Sequence, residues 1–97
     1  MKECTSLKEV RQKIDELDDE LVALISQRSH FIKQAASFKN SVDEIKADDR
    51  IEFIKQKVRH KAIQLEVSPN MISELFTIMI EEMVETEIAE FRNKDTF

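Results

Sequence analysis

The sequence predicts an all-α fold of three helices, and three observations carry that prediction. The 97 residues include no glycine, one proline and neither Trp nor Tyr, which leaves little to build hairpins or tight turns. Apolar residues recur at 3-4-3-4 spacing through the first third of the chain, and two later segments repeat a one-sided apolar pattern at helical period. No internal repeat or low-complexity tract interrupts them, so residues 1–97 read as one domain.

In helix 1 the repeating positions are Leu7, Val10, Ile14, Leu17, Leu21, Leu24, Arg28, Phe31, Ala35 and Phe38. Spacing that averages about 3.5 residues is the seam of a helix packed along its length against other helices. Thr5 or Ser6 supplies the N-cap, and no breaker intervenes before about Lys39, giving a rod of roughly 50 Å. A compact chain of this size has a radius of gyration of about 13 Å. Helix 1 would overhang any core that one chain can build, so a partner chain is expected to cover it. The stretch from Asn40 to Asp48 is polar and aperiodic and reads as a mobile loop. Helix 2 is expected from Asp48 or Asp49 to Leu65, with Ile51, Ile54, Val58, Ala62 and Leu65 on its inner face. Ser68-Pro69 pairs a capping hydroxyl with proline at the first helical position and starts helix 3. Its inner face carries Ile72, Leu75, Phe76, Met79, Ile80, Met83, Val84, Ile88 and Phe91, with Met71, Met79 and Met83 as core filling.

Composition excludes several classes. A formal net charge of −5 opposes nucleic acid as a partner, because phosphate neutralisation needs a basic face. Without glycine, the loops that cradle nucleotide phosphates cannot form, and His30 and His60 have no companions at metal-ligand spacing; neither cofactor nor metal is expected. The apolar runs fall far short of a membrane span and the N-terminus lacks a signal-peptide core, so a cytoplasmic protein is expected. Cys4 is alone, which rules out an internal disulfide. The run Lys55, Lys57, Arg59, Lys61 reads as a solvated face.

Charged residues on apolar faces are the informative ones. Arg28 interrupts the helix 1 seam, and burying an unpaired guanidinium costs several kcal/mol, so a carboxylate or an anionic ligand must meet it. Eleven residues make about three turns, which puts Lys39 on the side of Arg28 if the helix runs straight. Arg11 lies some 25 Å away along the same axis and cannot serve the same pocket, unless two copies of helix 1 pack antiparallel. Arg50 opens helix 2 beside its apolar face. Glu87 falls in line with Ile80 and Met83 on helix 3, the one carboxylate on that stripe. Several fixed cations and one carboxyl group around an apolar cavity fit a small dianion or multiply charged organic acid.

The segment VRQKIDELDDELVALISQR, with Arg11 and Arg28 in place, resembles the first helix of the AroQ-type chorismate mutases. The likeness continues through Lys39, Arg50 and the stretch LFTIMIEEMVETE of helix 3, nearly the whole chain. CTSLKEVR, KQAASFK and the short loop to Arg50 look most like the small branch that includes the isochorismate-pyruvate lyases. The resemblance implies an intertwined homodimeric helical bundle with two sites, each taking Arg11 from the other subunit. It implies that Arg11 and Arg28 clamp the two substrate carboxylates, that Lys39 reaches the ether oxygen and a carboxylate, and that Glu87 hydrogen-bonds the same oxygen. Arg50 would help to hold the substrate, with Ile51 and Met83 on the pocket wall. Two positions depart from the better-known mutases. Ile51 stands where they have a Glu that contacts the ring hydroxyl, and Ala47 where they have Asp. The lyase branch shares the missing ring-hydroxyl contact, whereas Glu87 stands where the lyase has Gln.

The expected activity is therefore rearrangement of chorismate to prephenate, a pericyclic step that uses no nucleophile, metal or cofactor. Release of salicylate and pyruvate from isochorismate is the alternative, since it breaks the same C–O bond. To donate to the ether oxygen Glu87 must carry a proton, so activity is expected to fall on the alkaline side. A non-catalytic helical dimerisation module would use the same heptads but has no need of buried cations.

Overall fold

A computed structural model describes residues 3–94, and among them every regular element is a helix. Three long helices, α1 (Leu7–Ala36), α3 (Asp48–Gln64) and α4 (Pro69–Lys94), are joined by the expected turns and by a short helix, α2 (Val42–Lys46). The chain divides into two compact units, Met1–Phe31 and Ile32–Phe97. No described helix is long and apolar enough to cross a membrane.

The first unit is most of α1. Ser6 caps it, its hydroxyl oxygen accepting from the Glu9 amide at 3.1 Å. The Glu9 carboxylate reaches back to accept from the Thr5 amide and hydroxyl at 3.2 and 2.9 Å. Leu7, Val10, Ile14, Leu17, Leu21, Leu24 and Phe31 are all exposed in the single chain. A helix with such a stripe gains most of its stability from packing rather than from propensity.

The second unit holds the packed core. Here α4 lies against α3 and α2, and Ala36, Ile45, Ala62 and Ile80 are buried between the elements. Ser68 caps α4 as the sequence predicts, its hydroxyl oxygen accepting from the Met71 amide at 3.2 Å. Ile72, Phe76, Met79, Met83, Val84, Ile88 and Phe91 are half-buried, whereas Leu75 is exposed.

Three boundaries differ from the sequence expectation. Helix α1 stops at Ala36, not Lys39, because the next amides turn back to carbonyls three residues earlier and the Ser37 hydroxyl donates to the Gln34 carbonyl at 2.7 Å. Phe38 is thus off the seam and 82% exposed, and the helical phase that aligned Lys39 with Arg28 does not apply. The segment read as a mobile loop contains α2. Ser41 accepts from the Glu44 amide at 3.2 Å, the Glu44 carboxylate accepts from the Asn40 amide at 2.7 Å, and Ile45 anchors the turn in the core at 3% exposure. Finally, α3 ends at Gln64, and Leu65 is exposed beyond it. There the Val67 amide donates to the Ala62 carbonyl and the Glu66 amide to that of Ile63, a Schellman closure with Glu66 at φ 60°.

Candidate active site

Glu87 is the buried charged side chain of the described residues, 8% exposed. It follows Ile80 by seven positions and Met83 by four, so α4 carries it into the second unit on the core-facing stripe. The end of that stripe does not leave the core at Glu87. Its Oε2 stands 3.5 Å from the Lys39 ammonium, which is itself mostly shielded. Lys39 Nζ also donates to the main-chain carbonyl of Glu44 at 3.3 Å. Lys39 therefore reaches Glu87 from the turn that links α1 to α2, not from a helix. The ammonium of this pair is thus engaged by two acceptors, a carboxylate and a main-chain carbonyl.

Along the same unit runs an open groove of about 330 Å³ between α3 and α4. Ile51, Ile80 and Val84 line it with apolar surface, together with Thr77 and the charged Lys46, Asp48, Lys55, Glu81 and Glu85. Ile80 and Val84 precede Glu87 by seven and three positions, so wall and carboxylate belong to one face of α4. Ile51 contributes no polar group there. Met83 is half-buried. Arg50, the third residue of α3, is exposed, and its guanidinium sits over the Phe53 ring at 5.4 Å. Of the basic run read as a solvated face, Lys57 and Lys61 are exposed, but Lys55 lines the groove and Arg59 donates to the Pro69 carbonyl at 3.4 Å.

The remaining two predicted residues belong to the first unit. Arg28 is partly shielded, and Arg11 is exposed in a shallow surface groove with Leu7, Lys8, Gln12, Asp15, Glu16 and Asp19. Seventeen residues of helix separate the two arginines by about 25 Å, so one copy of α1 cannot bring both to one ligand.

The structure thus unites Lys39 with Glu87. It also adds a pair that the sequence reading missed, Ser41 and Glu44. Their signal was present as Ser-Val-Asp-Glu, a capping hydroxyl with a carboxylate three residues on.

A family model described as chorismate mutase type II matches residues 10–88, which include all seven predicted site residues. A curated chorismate mutase of Methanocaldococcus jannaschii is 33% identical over 76 residues, covering 77% of each chain.

Proposed function

The chain belongs to the type II chorismate mutase family, and on that premise we propose that it rearranges chorismate to prephenate at a site built around Lys39 and Glu87. The observation that carries the reading is the buried Glu87 carboxyl facing the Lys39 ammonium at 3.5 Å.

The reaction is intramolecular. One C–O bond of the enolpyruvyl ether breaks while a C–C bond forms, and the ether oxygen gains negative charge before it becomes a carbonyl. An enzyme can accelerate such a step by holding the chair-like conformer and by presenting donors where the charge develops. Lys39 supplies a fixed cation for the ether oxygen. Glu87, when protonated, supplies a second donor from the opposite side. Arg11 and Arg28 pair with the two carboxylates, and Arg50 turns from Phe53 toward the bound substrate. Ile51 and Met83 contact the ring through apolar surface.

Two copies complete the site in this reading. Antiparallel packing of α1 seams carries Arg11 of one chain to Arg28 of its partner, which the 25 Å separation along a single helix requires. Residues 1–97 then act as one domain, a view supported by the continuous family match across both compact units.

A second reading has one observation in its favour. Ile51 brings no polar group to the groove, and isochorismate carries its hydroxyl at a different ring carbon from chorismate. The same charges would assist cleavage of isochorismate to salicylate and pyruvate. Lys39→Ala tests the site under either reading. Turnover is expected to fall by a factor on the order of 10²–10³, as for the loss of a donor at a developing oxyanion; near-normal turnover would remove Lys39 from the chemistry.

A further inference from the structure

We propose that Glu44 is a positioning residue for Lys39, and that the short helix α2 exists in this chain to aim the Lys39 ammonium at Glu87. The inference rests on the reading of Lys39 and Glu87 as the reacting pair, and it deepens that reading.

Lys39 stands in a turn and not in a helix. The Lys39 amide donates to the Ala36 carbonyl, and no helical ladder continues beyond it. Its long side chain has four rotatable bonds, and fixing them costs up to about 2 kcal/mol of rotamer entropy. Something must supply that order before substrate arrives.

Glu44 does so twice. Its carboxylate accepts from the amide of Asn40, the residue next to Lys39, at 2.7 Å. Its main-chain carbonyl accepts from Lys39 Nζ at 3.3 Å, alongside the Glu87 contact at 3.5 Å. The first bond fixes where the Lys39 backbone sits, and the second fixes the far end of the side chain. Both depend on α2 being folded. Ser41 holds its first turn by accepting from the Glu44 amide at 3.2 Å, and Ile45 locks the helix to the core. A five-residue helix is too short to persist by propensity, so cap and anchor decide whether it forms. One residue therefore joins the cap of α2 to both ends of the lysine.

The placement separates Glu44 from the reacting groups. It is exposed, and its carboxylate is engaged with a backbone amide, so it works through Lys39 and not on substrate. Loss of its carboxylate should loosen the ammonium without removing it, lowering kcat more than it raises KM.

The experiment is a double-mutant cycle with a rescue arm, read as steady-state kinetics on chorismate with the intact chain. Glu44→Ala is expected to lower kcat about tenfold, or about 1.4 kcal/mol. Glu44→Gln keeps an acceptor for the Asn40 amide and should restore most of the rate. In a Lys39→Ala background, Glu44→Ala should have no further effect on kcat, because nothing remains to be aimed. An equal loss in both backgrounds, or full activity in Glu44→Ala, would overturn the inference while wild-type turnover leaves the parent reading standing. A wild-type chain inactive on chorismate and on isochorismate would overturn both.

Discussion

At the residue scale, the proposed chemistry rests on Lys39 and Glu87, which the free protein already holds 3.5 Å apart. Glu87 was legible as the carboxylate in line with Ile80 and Met83, but periodicity allowed it equally to leave the core, and its burial is a finding of the structure. Lys39 was legible only by a helical phase that does not exist, since α1 ends three residues before it. What brings it to Glu87 is a turn, and the contact spans 48 positions of sequence that no local period reports. Glu87→Gln keeps a donor for the ether oxygen. The variant is expected to retain activity in steady-state kinetics on chorismate, whereas Glu87→Ala should lose turnover by a factor on the order of 10²; near-normal turnover of Glu87→Ala would take Glu87 out of the mechanism. Another acid has a folded-state environment with a clear sign. The Thr5 amide and then its hydroxyl hold the Glu9 carboxyl below its usual range, with Lys13 adding a smaller pull. A depressed value stabilises the fold above the unfolded-state pKa and ceases to as pH falls through the folded one. The first turn of α1 should therefore fray on acidification in step with Glu9, visible as a smaller protection factor of the Thr5 amide against hydrogen exchange.

At the scale of elements, boundaries followed capping chemistry wherever a side chain supplied it. Ser6 and Ser68 start α1 and α4 as read from the sequence, because each offers an oxygen to the amide three residues on. The same chemistry at Ser41 was masked by the polarity of its surroundings, since α2 has one buried side chain and no room to show a period. The end of α3 was placed one residue long for a related reason. A Schellman closure ordinarily announces itself with glycine, and in a chain without glycine Glu66 takes the left-handed position instead, at φ 60°. A side chain there costs about 1 kcal/mol relative to glycine. Glu66→Gly is expected to raise the unfolding free energy by about 0.5–1 kcal/mol in urea titration, a gain limited by glycine's freer unfolded state. A loss of stability would mean that the Glu66 side chain contributes more than its backbone strain takes away.

At the scale of the whole molecule, the seam of α1 is an apolar stripe that the single chain leaves exposed. Seven of its residues, from Leu7 to Phe31, are exposed in the single chain, and covering each recovers about 1 kcal/mol or more. A stripe at this spacing is a helix-pairing signal, and homodimers in solution are the expected state by light scattering. The sequence could reveal that stripe but not its partner, because periodicity reports which face is buried and not against what. If Arg11 crosses between subunits while Lys39 serves its own, chains carrying Arg11→Ala and Lys39→Ala are each inactive alone. Mixed after denaturation and refolding, they should recover about one quarter of wild-type activity, since half the dimers are mixed and each of those has one intact site. No recovery would place all the groups within one chain. The most direct test of the central claim is product analysis with purified protein and each substrate in turn, comparing kcat/KM for chorismate and isochorismate. Prephenate from chorismate as the preferred reaction is the predicted result, and salicylate with pyruvate as the preferred products, or no turnover of chorismate, would contradict it.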